Sequence, residues 1–243
     1  MSALAAQTVA EVRMTLRRGE TLLLTVGIPV TLLVFFSLVK VTTSPSAHRV
    51  DFVAPGVLGL CVLSTSLVAL SIATGFERSY GVLKRLHVTP LGRRRLISAK
   101  MAGVRVTEVI QVAVLTAVAL ALGWHPHGGA RAVAATAGLL ILGSAGCAGL
   151  GLALAGRLRA EVNLAAANGL YVLLLLFSGF VVPVTSLPHV VGRIVTALPS
   201  GAMVEGLHRV LESGTLPTGG DWTALAVWAV AAPALAARTF RFD

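Results

Sequence analysis

Residues 76–100 read FERSYGVLKRLHVTPLGRRRLISAK and lie between two long apolar runs. The stretch holds seven basic side chains, Arg78, Lys84, Arg85, Arg93, Arg94, Arg95 and Lys100, and a single acid, Glu77. Moving each Arg or Lys to the middle of a bilayer costs about 2.5–3.5 kcal/mol on insertion scales. The stretch therefore stays in water or among lipid headgroups, while the runs on either side are free to cross hydrocarbon. Its charge marks the cytoplasmic side.

Composition agrees. Of 243 residues, 56% are hydrophobic and only 12% charged, against about 45–50% and about 25% in a soluble domain. Neither half of the chain has the polar surface a soluble domain needs. The net charge of +10 does not indicate a nucleic-acid partner. The basic residues sit between apolar spans, and an aromatic content of 5% leaves few platforms for base stacking. Cys61 and Cys147 both fall inside apolar runs and read as small buried residues rather than a disulfide framework or metal cluster.

Working outward, apolar runs of about 20 residues predict an all-α polytopic membrane protein with six spans, at 22–41, 52–75, 103–123, 132–156, 164–183 and 222–237. Ahead of them, residues 1–20 form an amphipathic stretch. Leu4, Val9, Val12 and Leu16 recur at helical spacing and Gln7, Glu11, Arg17 and Arg18 take other faces, so an in-plane interfacial helix is expected. A secretory signal is the rival, but the following apolar run is too long for a signal core and lacks a small-x-small cleavage site. With alternate loops assigned to alternate sides, one side collects Arg13, Arg17, Arg18, the seven basic residues above, Arg157, Arg159, Arg238 and Arg241. The other has only Arg49, Arg131, Arg193 and Arg209. The positive-inside rule then puts both termini in the cytoplasm of a multi-pass cell-membrane (inner-membrane) protein. Residues 184–221 are too apolar for a solvated loop and too broken by Pro188, Pro199 and Gly201 for one span. Val190, Val191, Ile194, Val195 and Leu198 share a helical face, and 200–212 suit a second short helix. The segment either dips back into the outer leaflet or rests on its surface.

Few residues suggest chemistry. Glu108 is the one acid well inside a predicted span, with Arg105 three residues earlier on the same face. The two are either a polar contact in a transport pathway or an interfacial pair from which Arg105 snorkels. Gly143, Cys147, Gly151 and Ala155 recur every four positions, a small-residue ladder for close helix packing. His125 and His127 lack a third ligand nearby, no catalytic constellation is present, and no metal site is expected. The chain contains no Gly-Lys dipeptide, so it has no phosphate-binding loop of the Gly-Lys-Ser/Thr kind.

The basic stretch divides in two. Residues 77–86 can continue the second span as helix, and Thr89-Pro90 offers an N-cap followed by proline at the first helical position. The result is a helix-turn-helix elbow over 76–102. The pattern E-R-x-x-G-x-L-x-R-L-x-x-T-P, from Glu77 to Pro90, resembles the cytoplasmic loop of ABC-2 type transporter permeases, whose familiar members include daunorubicin-resistance and nodulation-type export subunits. A Ser-Gly-x-x-x-Pro turn at Ser178, Gly179 and Pro183, an outer gate turn by this resemblance, extends the likeness, as do the span pattern and the short C-terminal tail.

The resemblance implies a permease subunit, not itself an enzyme, that pairs with a second copy or a homologous permease. Separate ABC ATPase subunits would bind the ATP and Mg2+. It also implies that Glu77, Arg78, Gly81, Lys84, Arg85, Thr89 and Pro90 form the ATPase-coupling interface. The spans carry few polar groups, which favours an amphipathic or lipid-like cargo or drug. The rival reading is an ion-coupled secondary transporter or intramembrane enzyme using Glu108.

Overall fold

The computed structural model describes residues 12–13, 19–39, 49–83, 92–180 and 188–240. Among these, regular structure is entirely helical. The helices are α1 (Gly19–Leu38), α2 (Arg49–Ser79), α3 (Gly92–Ala121), α4 (Gly129–Ala155), α5 (Ala160–Leu176), α6 (His189–Ala197), α7 (Pro199–Leu211) and α8 (Gly219–Thr239). Helices α2, α3, α4 and α8 are long and apolar enough to cross a membrane, and α1 and α5 are shorter apolar helices. The chain is thus an all-α polytopic membrane protein. The in-plane helix expected over 1–20 lies almost wholly outside the described residues.

Small residues set the packing. Helix α4 carries two glycine-bearing faces, of which the sequence ladder was one. On that face a β-carbon at Gly143 would strike Met203 of α7, and one at Gly151 would come within 2.6 Å of the Leu67 carbonyl oxygen on α2. Cys147 packs with Leu63 and Leu67, and Ala155 is fully buried. The stretch of α2 that meets Gly151, Ser64–Ala69, is a π-helical turn. The second face, not anticipated, receives α8. There Gly138 meets Trp222, Gly146 meets Trp228, and Gly149 lies directly against the backbone of Ala232 and Pro233.

The main apolar core joins α2, α3, α4 and α7 through residues such as Val57, Leu58, Leu115, Leu139, Met203 and Leu207. Helices α6 and α7 meet at a 98° bend. Almost all of α7 is buried, whereas Val190 and Ile194 of α6 are exposed and only Val195 of its expected apolar face is sealed inside. The junction is fixed by Ser200 Oγ donating to Leu174 O (3.0 Å) and Trp228 Nε1 donating to Ala197 O (2.8 Å). Thr218 and Asp221 form a capping box that starts α8. Helix α5 begins at Ala160, ahead of the expected 164–183, and it ends at Leu176 because the chain turns at Phe177–Gly179, where Gly179 has φ 79°. Asn163 exchanges two hydrogen bonds of 2.9 Å with Ser71 of α2.

Candidate functional site

Two polar constellations interrupt this apolar bundle. The first is at the end of α2, where the basic stretch begins. The helix was expected to run on through residue 86, but it stops at Ser79 and the chain turns through Gly81 at φ 73°. That left-handed conformation is easily reached by glycine and ends the helix.

Just before the turn, Arg78 reaches across to the end of α4. Its Nη1 donates to Ala155 O (3.0 Å) and its Nη2 to Leu158 O (2.9 Å). The last carbonyls of a helix have no partner within it and carry partial negative charge, so a two-pronged cation satisfies both requirements. Glu77, one residue earlier, pairs with Lys100 of α3 at 2.5 Å, with the lysine side chain 2% exposed.

Beyond the turn, fully buried Leu83 joins Leu96 and Ile97 of α3, Leu152 of α4 and Phe240 after α8 in one apolar cluster. The elbow is therefore bolted to α2, α3, α4 and the end of α8. Tyr80, in the turn that ends α2, is 74% exposed. Of the residues expected to form the coupling interface, Glu77, Arg78 and Gly81 are placed here. Lys84, Arg85, Thr89 and Pro90 lie outside the described residues, as does Pro183 of the expected outer gate turn. Ser178 and Gly179 of that turn follow α5, with Ser178 Oγ donating to Leu175 O (2.7 Å).

The second constellation runs through the middle of the bundle. Helix α3 starts at Gly92, so Glu108 lies sixteen residues along it, roughly 24 Å from its start. Arg105 Nη1 donates to Glu108 Oε2 (3.2 Å) and Leu140 O (3.2 Å), and its Nη2 to Ile141 O (2.6 Å). Ser144 Oγ donates to Glu108 Oε1 (2.6 Å). This cluster clamps α3 to α4. One turn along α3, Gln111 accepts from Thr65 Oγ1 (3.0 Å) and donates to Thr25 O (2.9 Å), tying α3 to α2 and α1. Gln111 was missed from sequence, although an amide three residues from Glu108 in an apolar run was the available signal. Buried polar groups that are mutually satisfied in this way fix helix register. His125 and His127 lie in the exposed link between α3 and α4, and among the described residues no three of His, Cys, Asp and Glu come together as a metal site.

Comparison with known families matches residues 3–211 to the family described as ABC-2 type transporter. Comparison with curated proteins finds no match.

Proposed function

The chain belongs to the ABC-2 type transporter family, and from that premise we propose that it is the membrane-spanning subunit of an exporter driven by separate ABC ATPase subunits. A member of this family is a transport subunit of the membrane, and ATP and Mg2+ are used by partner ATPases. On this reading the elbow faces the cytoplasm and docks the ATPase, with both termini on the same side. The bent α6–α7 pair is a re-entrant hairpin from the opposite face, the subunit works as a dimer, and the cargo is an amphipathic or lipid-like compound or drug.

The observation that carries the reading is the double attachment of the elbow. Arg78 grips the end of α4, and Glu77 grips Lys100, eight residues into α3. Coupling needs an element whose displacement moves other elements as a rigid unit, and a push on this elbow reaches three long helices at once. The test is ATP hydrolysis in proteoliposomes containing this chain and its ATPase. Hydrolysis is expected to depend on the ATPase and to rise with transported substrate. Hydrolysis by the purified chain alone overturns the reading.

Glu108 separates this account from a proton-coupled one. In Glu108→Gln the amide oxygen still accepts from Ser144 or Arg105, so the α3–α4 clamp keeps its shape and ATP-driven transport stays within about threefold, a cost below 1 kcal/mol. A carrier that moves protons on Glu108 would lose transport altogether in this variant. Flux measurements with and without a proton gradient distinguish the two.

A further inference from the structure

Helices α3 and α4 leave an open groove of about 490 Å3 between them. Val109 and Val112 of α3 face Val133 and Ala137 of α4 across it. The Arg105–Glu108 clamp closes one end, and Trp124 and Pro126 line the other. Along α3 the lining runs from Arg105 to Thr116, eleven residues or roughly 16 Å of helix. That is one leaflet of hydrocarbon, half of a core about 30 Å thick. Spread over this length, the volume leaves a cross-section of about 30 Å2. A single hydrocarbon chain fits such a slot, but a helix about 10–12 Å across does not, which argues against a second copy as occupant.

Two polar atoms point to what fills it. Trp124 and Thr136 line the groove, and the buried indole nitrogen of the first and hydroxyl of the second have no hydrogen-bond partner among the described residues. Trp124 is only 4% exposed, so its N–H has little access to solvent, and an unmet buried donor is unfavourable. Tryptophan is enriched where hydrocarbon gives way to headgroups, the depth at which a lipid carries its ester carbonyls.

We propose that this groove holds one acyl chain of a bilayer lipid from the leaflet at the end opposite the elbow. Trp124 Nε1 donates to the ester carbonyl at the head of the chain, and the Arg105–Glu108 clamp stops its methyl end. The site does not depend on the transport reading and is tested without any ATPase. The purified chain is placed in phosphatidylcholine vesicles with a trace of phosphatidylcholine bearing a diazirine near the end of one acyl chain, then illuminated, and the adducts are mapped by peptide mass spectrometry.

Adducts are expected to concentrate in 105–116 and 133–141 over the exposed face of α5 at Val172, Leu173 and Leu176. Ala137→Trp fills the slot from an exposed position and is expected to lower groove labelling by about tenfold, since chain burial there is what the indole replaces. Labelling of α5 stays unchanged. Trp124→Phe keeps the ring, removes the donor, and is expected to lower groove labelling about threefold, the scale of one neutral hydrogen bond. Uniform labelling of all exposed apolar faces, groove labelling unchanged in both variants, or cross-links to a second copy within the groove would each overturn the proposal.

Discussion

Arg78→Ala is expected to reduce transport-linked ATP hydrolysis by at least about tenfold while the subunit still inserts and still binds its ATPase. The guanidinium makes two charge-assisted hydrogen bonds to the Ala155 and Leu158 carbonyls, each contributing about 1.5–3 kcal/mol. Losing them frees the end of α4 from the elbow, and a change of about 1.4 kcal/mol already shifts an equilibrium tenfold. Arg78→Lys is the informative companion. A single ammonium can approach one carbonyl but lacks the planar fork that reaches both, so its activity should fall between wild type and alanine. Co-purification of the complex with activity lost identifies a coupling defect. Full activity in Arg78→Ala would remove α4 from the coupling route.

The second large effect concerns assembly of the bundle itself. Gly149→Val should abolish the folded protein or lower its stability by more than about 3 kcal/mol, the upper range for an overpacked core. A β-carbon at this position falls on the backbone of Ala232 and Pro233, and backbone cannot step aside as a flexible side chain can. Helix α8 would have to separate from α4 and give up contacts along most of its length. Gly169→Val is the control, since nothing lies within 4 Å of a β-carbon there. Thermal unfolding in detergent, followed by fluorescence of Trp222 and Trp228 at the α4–α8 contact, measures both. Equal midpoints for the two variants would contradict the packing described.

Much of this architecture was legible in the residues. Hydrocarbon excludes charge so strongly that 76–100 could only lie between spans, and the apolar runs on either side became helices because a buried backbone must satisfy itself. The Gly143–Ala155 ladder was readable because its spacing matches the helical repeat. The α8-facing glycines were not, since Gly138, Gly146 and Gly149 depart from that even spacing and are recognised only with Trp222, Trp228 and Pro233 set beside them. The π turn at Ser64–Ala69 left no local signature, and the residue that lies against its Leu67 carbonyl, Gly151, is far away in sequence. For the candidate site, Glu77 and Arg78 were singled out through their motif. Their partners Lys100, Ala155 and Leu158 were not, two of them being backbone carbonyls that a sequence pattern does not show. Arg105 and Glu108 were picked out as a pair, but the partners that hold them, Ser144 and the Leu140 and Ile141 carbonyls, lie on another helix and leave no mark in the local sequence.

The central claim is that the elbow receives work from another protein on the cytoplasmic side, and Tyr80→Cys tests it most directly. Tyr80 is exposed in the turn that ends α2, while the native Cys61 and Cys147 are both buried, so a membrane-impermeant thiol reagent reports on position 80 against a low background. The account predicts modification from the cytoplasmic face only, slowed by about tenfold or more when the ATPase is bound, the effect of a masked surface worth at least about 1.4 kcal/mol. Modification from the opposite face, or a rate unchanged at saturating ATPase, would contradict it.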